Sequence, residues 1–140
     1  MSTRCQVKIK EKGVDRQKEA VTLYHHCDGY PTAMIPLLAC AYQPEWKHGR
    51  IGKAVSFVVA EDPEGYEVEQ GHELHGDIEW YYILEILSET HVDAVPQWFL
   101  NVYKITGDID ADDRLSKCSL KVFSGPIEKA VKLAEQIEGA

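Results

Sequence analysis

A chain of 140 residues, 44% hydrophobic and 27% charged, is long enough to bury one core without staples and too apolar to stay disordered. Its formal net charge is −8, and residues 54–103 hold eleven carboxylates and no Lys or Arg. That stretch would repel a phosphate backbone, so nucleic-acid binding is disfavoured.

The opening residues alternate polar and apolar, with no signal-peptide core, and no apolar run approaches the ~20 residues of a membrane span. Cys5, Cys27, Cys40 and Cys118 form no C-x-x-C pair, which fits core or inert thiols in a reducing compartment. The expected location is the cytoplasm, away from membranes. No linker or repeat divides the chain, so residues 1–140 are expected to form a single domain.

Cys5, Val7 and Ile9 alternate with Gln6, Lys8 and Lys10, the period of a half-buried strand. Residues 13–19 read as a turn and 20–25 as a second strand, broken by Cys27-Asp28-Gly29. Pro31 and Thr32 open an apolar stretch to Tyr42 that reads as a helix, with Pro36 expected in its first turn, where a missing N–H costs least. Ile51, Ala54, Val55, Val58 and Val59 share one helical face, and Asp62-Pro63-Glu64-Gly65 ends that helix.

Residues 78–87 predict a strand with Ile78, Trp80, Tyr82, Leu84 and Ile86 on one face. Glu79, Tyr81, Ile83 and Glu85 fall on the other. Residues 96–105, rich in aromatic and branched side chains, predict a further strand, and 120–123 a short one. Pro126 fits the first position of a last helix, striped by Ile127, Ala130, Val131, Ala134 and Ile137 and ended by Gly139. Strands cluster late without alternating helices. The expected fold is therefore α+β, a mainly antiparallel sheet with about three helices on one side.

Two stretches carry polar groups that could meet. The first runs Tyr24-His25-His26-Cys27-Asp28-Gly29-Tyr30-Pro31, at a strand-to-helix junction. Adjacent strand residues point to opposite faces, so His25 and His26 cannot share a site unless the strand has already turned. A histidine there is suited to general-base or metal-ligand roles near neutral pH, and Asp28 either orients it or serves the turn. The second stretch is His72-Glu73-Leu74-His75-Gly76-Asp77, leading to Glu79. Its donors are types that suit zinc, manganese or iron, but the second His comes one residue too early for the H-E-x-x-H helix.

Asp108, Asp110 and Asp112 alternate like the start of a calcium loop. Asp113 stands where that loop needs Gly, and Ser119 where it needs Glu, so a solvated turn is expected. Phosphate loops, dinucleotide turns and nucleophile elbows have no match in the sequence. Cys27 sits beside Asp28, which opposes the lowered pKa a thiolate nucleophile needs.

Tyr24, His26, Asp28, Gly29, Tyr30 and Pro31, followed by Gly76-Asp77-Ile78-Glu79-Trp80, resemble a group of small uncharacterised prokaryotic and phage proteins sharing a Y-x-H-x-D-G-Y-P-like motif. The resemblance covers residues 20–85, and Cys27 stands where an aromatic residue is expected. It implies that the two stretches lie together in space and form one site.

The leading expectation is a non-enzymatic binding or adaptor domain for an unidentified small ligand or protein. Its contact residues would be Tyr24, His26, Asp28, Tyr30, Asp77 and Glu79. The alternative is a small metal-assisted hydrolase with His26, His72, His75 and Asp77 around a divalent metal. No other cofactor is expected.

Overall fold

Alternation of apolar and polar residues organises the fold, a computed structural model that describes residues 3–12, 19–42, 51–86, 98–109 and 115–140. Its strands are β1 (Arg4–Glu11), β2 (Val21–His25), β3 (Tyr66–Val68), β4 (Ile78–Ile86), β5 (Trp98–Ile105) and β6 (Ser119–Pro126). They form one sheet in the order β3-β2-β1-β4-β5-β6. Only the central β1–β4 pair is parallel; the other pairs are antiparallel. Helices α1 (Pro31–Ala41), α2 (Ile51–Glu61), α4 (Ile127–Lys132) and α5 (Ala134–Glu138) complete it, with α3 (Leu115–Cys118) a single turn before β6. The α+β expectation describes this architecture.

Helices α1, α2, α4 and α5 gather on one face. There Cys5, Val7 and Ile9, Leu23, Tyr82, Leu84 and Ile86, and Trp98, Leu100 and Val102 point into a core closed by Met34, Ile35 and Leu38 of α1, Ala54 and Val58 of α2, and Ile127, Ala130 and Ile137. Each large apolar side chain removed from water there stabilises the fold by roughly 1.5–3 kcal/mol. The opposite face carries a smaller cluster: Tyr24, Ile78 and Tyr81, with Leu74, Ile83, Tyr103, Ile105, Ile109 and Leu115 packed against it.

Several details differ from the sequence reading. Pro31, not Pro36, lies in the first turn of α1, and Pro36 sits inside the helix. Ile78 lies in the open-face cluster while Trp80 faces the helices, because Arg4 pairs with Ile78 and Cys5 with Trp80. Glu79 is the extra residue of that bulge, and a bulge reverses the alternation on either side of it. The last helix is broken at Leu133 (φ −108°), and Val131 of its expected stripe is 42% exposed. Pro126 ends β6 and caps α4 from outside. Most of the expected turn at residues 13–19 and most of the acidic 108–113 loop lie outside the described residues.

Candidate functional site

The site begins with a buried amide. Gln6, on the polar side of β1, is fully buried, and both ends of its side chain are used. Nε2 donates to the Glu73 carbonyl (2.9 Å), and Oε1 accepts the His75 amide (3.0 Å). The Glu69 amide donates to the Thr22 carbonyl (2.8 Å), and Thr22 Oγ1 shares a hydrogen bond with His72 Nδ1 (2.7 Å). Residues 69–77 are thus stitched across the face of the sheet away from the helices. Their backbone groups find partners in strand side chains because a covering loop has no ladder of its own to satisfy them.

That loop brings the two stretches together at Tyr24. Its hydroxyl donates to Asp77 Oδ2 (2.6 Å), while the Arg4 guanidinium lies 3.5 Å from the same oxygen. The His26 ring meets the Tyr24 ring edge-on with centroids 4.7 Å apart, and the His75 ring tilts against it at 4.6 Å. Each imidazole has a carboxylate of its own: His26 Nε2 lies 3.4 Å from Glu67, and His75 Nε2 2.5 Å from Glu69. Loss of water contact, then the Asp77 hydrogen bond, pushes the Tyr24 hydroxyl pKa up to about 12. Beside this cluster, Val68, Glu69, Gln70, Gly71, Glu73 and His75 line an open depression of about 480 Å³.

Tyr24, His26, His75 and Asp77 therefore converge. The other expected residues do not. Asp28 is exposed, at a left-handed turn (φ 52°) that directs the chain into α1. Tyr30 precedes α1, accepts the Met34 amide on its carbonyl, and packs against the core on the helix side. Glu79 is exposed in the β4 bulge, and His72 is committed to Thr22. Among the described residues, no group of three or more His, Cys, Asp or Glu side chains is arranged to hold a metal ion. Nor is any helix among them long and apolar enough to cross a membrane.

A second polar pair went unnoticed in the sequence. His25 is 2% exposed on the helix side, and its Nε2 donates to Asp62 Oδ2 (2.7 Å). With Nε2 as donor to a carboxylate, Nδ1 of a neutral imidazole is an acceptor, and among the described residues no group donates to it. The Tyr66 ring lies against His25 with centroids 4.6 Å apart, and its hydroxyl is likewise buried without a described partner. Burial drives the Tyr66 hydroxyl pKa upward, reinforced by nearby Cys5, Asp62 and Glu61. Gly65 makes the close approach possible, since a Cβ there would lie 2.8 Å from His25 Nε2. The available signal was parity: His25 shares its strand face with Leu23, so an imidazole on an apolar face called for a buried acceptor.

Comparison with protein-family models, curated proteins and solved structures finds no match for this chain.

Proposed function

We propose that this chain is a non-enzymatic binding module whose contact face is the Tyr24 cluster, flanked by the 69–77 loop. The observation that supports this most is that the polar groups of the cluster lie against one another: Tyr24 donates to Asp77, and His26 and His75 sit beside Glu67 and Glu69. A general base or metal ligand needs a lone pair turned toward a reacting atom, whereas a recognition surface needs rigid rings and carboxylates with exposed flanks. The chemistry that complements such a face is cationic. Glu67, Glu69 and Asp77 lie beside the Tyr24, His26 and His75 rings, with Arg4 as the basic group in contact, and a protonated amine or guanidinium gains from both carboxylate and ring.

The test is a screen of cationic fragments and Lys/Arg peptides against ¹⁵N-labelled protein. Expected amide shifts centre on Tyr24, His26, His75 and Asp77 and vanish in Asp77→Asn. Shifts scattered elsewhere, or metal-dependent turnover in a hydrolase panel lost in His75→Ala, would overturn the reading and favour the metal-assisted alternative.

A further inference from the structure

β3 forms one edge of the sheet and turns part of its backbone outward. Among the described residues it pairs only with β2. The Glu69 amide donates to the Thr22 carbonyl (2.8 Å) and the His26 amide to the Gly65 carbonyl (3.1 Å), so residues 65, 67 and 69 direct their backbone groups at β2. In an antiparallel ladder the N–H and C=O of one residue point to the same side, and those of the next residue point away. Tyr66 and Val68 therefore present two N–H and two C=O groups to the free edge. Val68 is 62% exposed, the most of any large hydrophobic residue among those described, and the Glu67 side chain is 66% exposed. The edge is open to solvent, with an apolar side chain on it of the kind that sheet edges normally avoid.

The two faces of this edge differ in chemistry. Val68 lies opposite Leu23 and Tyr66 opposite His25, both on the helix side. Glu67 lies opposite Tyr24 on the open face, and Glu69, level with Thr22, continues that row. Glu64 precedes them, and residues 54–103 contain no Lys or Arg. A second copy's β3 is a poor occupant of this edge, because like charges would meet across the join. Its complement is a strand that alternates basic and apolar residues.

We propose that β3 docks an extended segment of a partner protein, with alternating basic and apolar residues, as an added strand antiparallel to it. This docking rests on the open face being a cation-binding surface and adds how the backbone that carries the cation is held. Apolar residues of the segment stand opposite Val68 and Tyr66 and exchange both backbone hydrogen bonds with each. The basic residues stand opposite Glu69 and Glu67, on the face that carries Tyr24 and His26. The one opposite Glu69 sits at the mouth of the depression lined by Glu69, Glu73 and His75. Backbone bonds supply affinity, and the alternation supplies specificity, since a slip of one residue puts every side chain on the wrong face. The antiparallel direction is favoured because its ladder is the more stable per residue.

Calorimetric titration of the wild-type chain with end-blocked peptides that alternate Lys and Val tests this. The parent peptide is expected to bind, more weakly as salt rises. Methylating the Val amides, which point at β3, removes the donors to the edge and is expected to weaken binding about tenfold or more. Methylating the Lys amides instead, which point away, is expected to change it by less than about twofold. Val68→Pro removes an N–H that faces the free edge and none that bonds β2, and is expected to weaken binding as the methylated Val peptide does. Circular dichroism checks its fold, and the two methylated peptides give their result on the wild type even if this variant unfolds. A parent peptide that does not bind overturns the proposal, as does equal loss from the two methylation patterns or no loss from methylated Val. Self-association of the chain that the peptide competes away would put a second copy on this edge and overturn it too. If the peptide fails while arginine amide still shifts the Tyr24 and Asp77 amides, strand addition alone falls. If neither produces a shift, the cation-binding reading falls with it.

Discussion

An imidazole survives inside an apolar core only when its polar atoms are engaged, and His25 rests on a single contact to Asp62. Replacing Asp62 with Ala leaves His25 buried beside Tyr66 with no described partner, at a cost of about 1–3 kcal/mol. Tyr24→Phe also removes one hydrogen bond, but the Asp77 side chain left behind is 48% exposed and water takes its place. That loss is about 0.5–1.5 kcal/mol. Urea denaturation separates them: the midpoint falls further for Asp62→Ala, with unchanged slope in both. A larger fall for Tyr24→Phe would mean that the open-face cluster, not the His25 pair, is the structural contact. The difference between the two sites bears on function, because a polar cluster that contributes little to stability is free to serve recognition.

Parity was legible at this scale and chemistry only partly so. The alternation of β1 and β2 sorted Tyr24 from His25 in advance, and the two stretches do meet where Tyr24 touches Asp77. Which residues join them was not legible. Tyr30 belongs to the helix side, because the turn at Asp28, past the end of β2, leads the chain into α1. Arg4 and Glu67 reach the cluster from other strands and Glu69 from the covering loop, through contacts that no local pattern encodes.

Among the elements, α1 carries a defect that the sequence announced and local reasoning moved. Its apolar run and Pro31 define the helix, and Pro31 occupies the first turn, where its missing N–H costs nothing. Pro36 is left in the interior, where it removes the amide that would bond the Thr32 carbonyl. Met34, Ile35 and Leu38, all fully buried, keep the helix continuous through that position. Pro36 is exposed, so Ala fits there without repacking. Pro36→Ala is expected to stabilise the fold by about 2 kcal/mol, the helix penalty of about 3 kcal/mol less the greater freedom of the unfolded chain. Thermal unfolding reads this as a higher midpoint. A lower one would mean that the proline ring itself is needed where it stands.

Other elements were hidden for identifiable reasons. β3 has three residues, Tyr66, Glu67 and Val68, too few to show alternation, and it exists because β2 offers it an edge. The β4 bulge at Glu79 is invisible in a strand whose pattern reads as unbroken, and it is what turns Ile78 toward Tyr24. The break at Leu133 follows neither Gly nor Pro.

For the molecule as a whole, the buried acids of the core set a limit at high pH. Cys5, Tyr66, Tyr81 and Tyr82 all have pKa values pushed upward, burial being the largest cause in each, and Tyr24 joins them at about 12. Tyr82 is fully buried with its hydroxyl donating to the Gly29 carbonyl (2.7 Å), under a turn so close that a Cβ on Gly29 would lie 2.9 Å from Cys5. A group whose pKa is higher folded than unfolded contributes stability that is complete below its unfolded value and is lost as pH rises toward the folded one. The unfolded values are 9.0 for the thiol and 10.0 for the phenols, so stability is flat to about pH 9, falls from there, and falls more steeply above pH 10. Because burial holds the Tyr66, Tyr81 and Tyr82 hydroxyls protonated in the folded chain, unfolding is expected to precede their titration. The phenolate absorbance of these three tyrosines and the far-ultraviolet circular dichroism should therefore change together, in one cooperative step. Phenolate absorbance that climbs to its full value while the dichroism stays native would show that water reaches these hydroxyls in the folded chain. The core between sheet and helices would then be looser than the contacts of Tyr82 and Cys5 require.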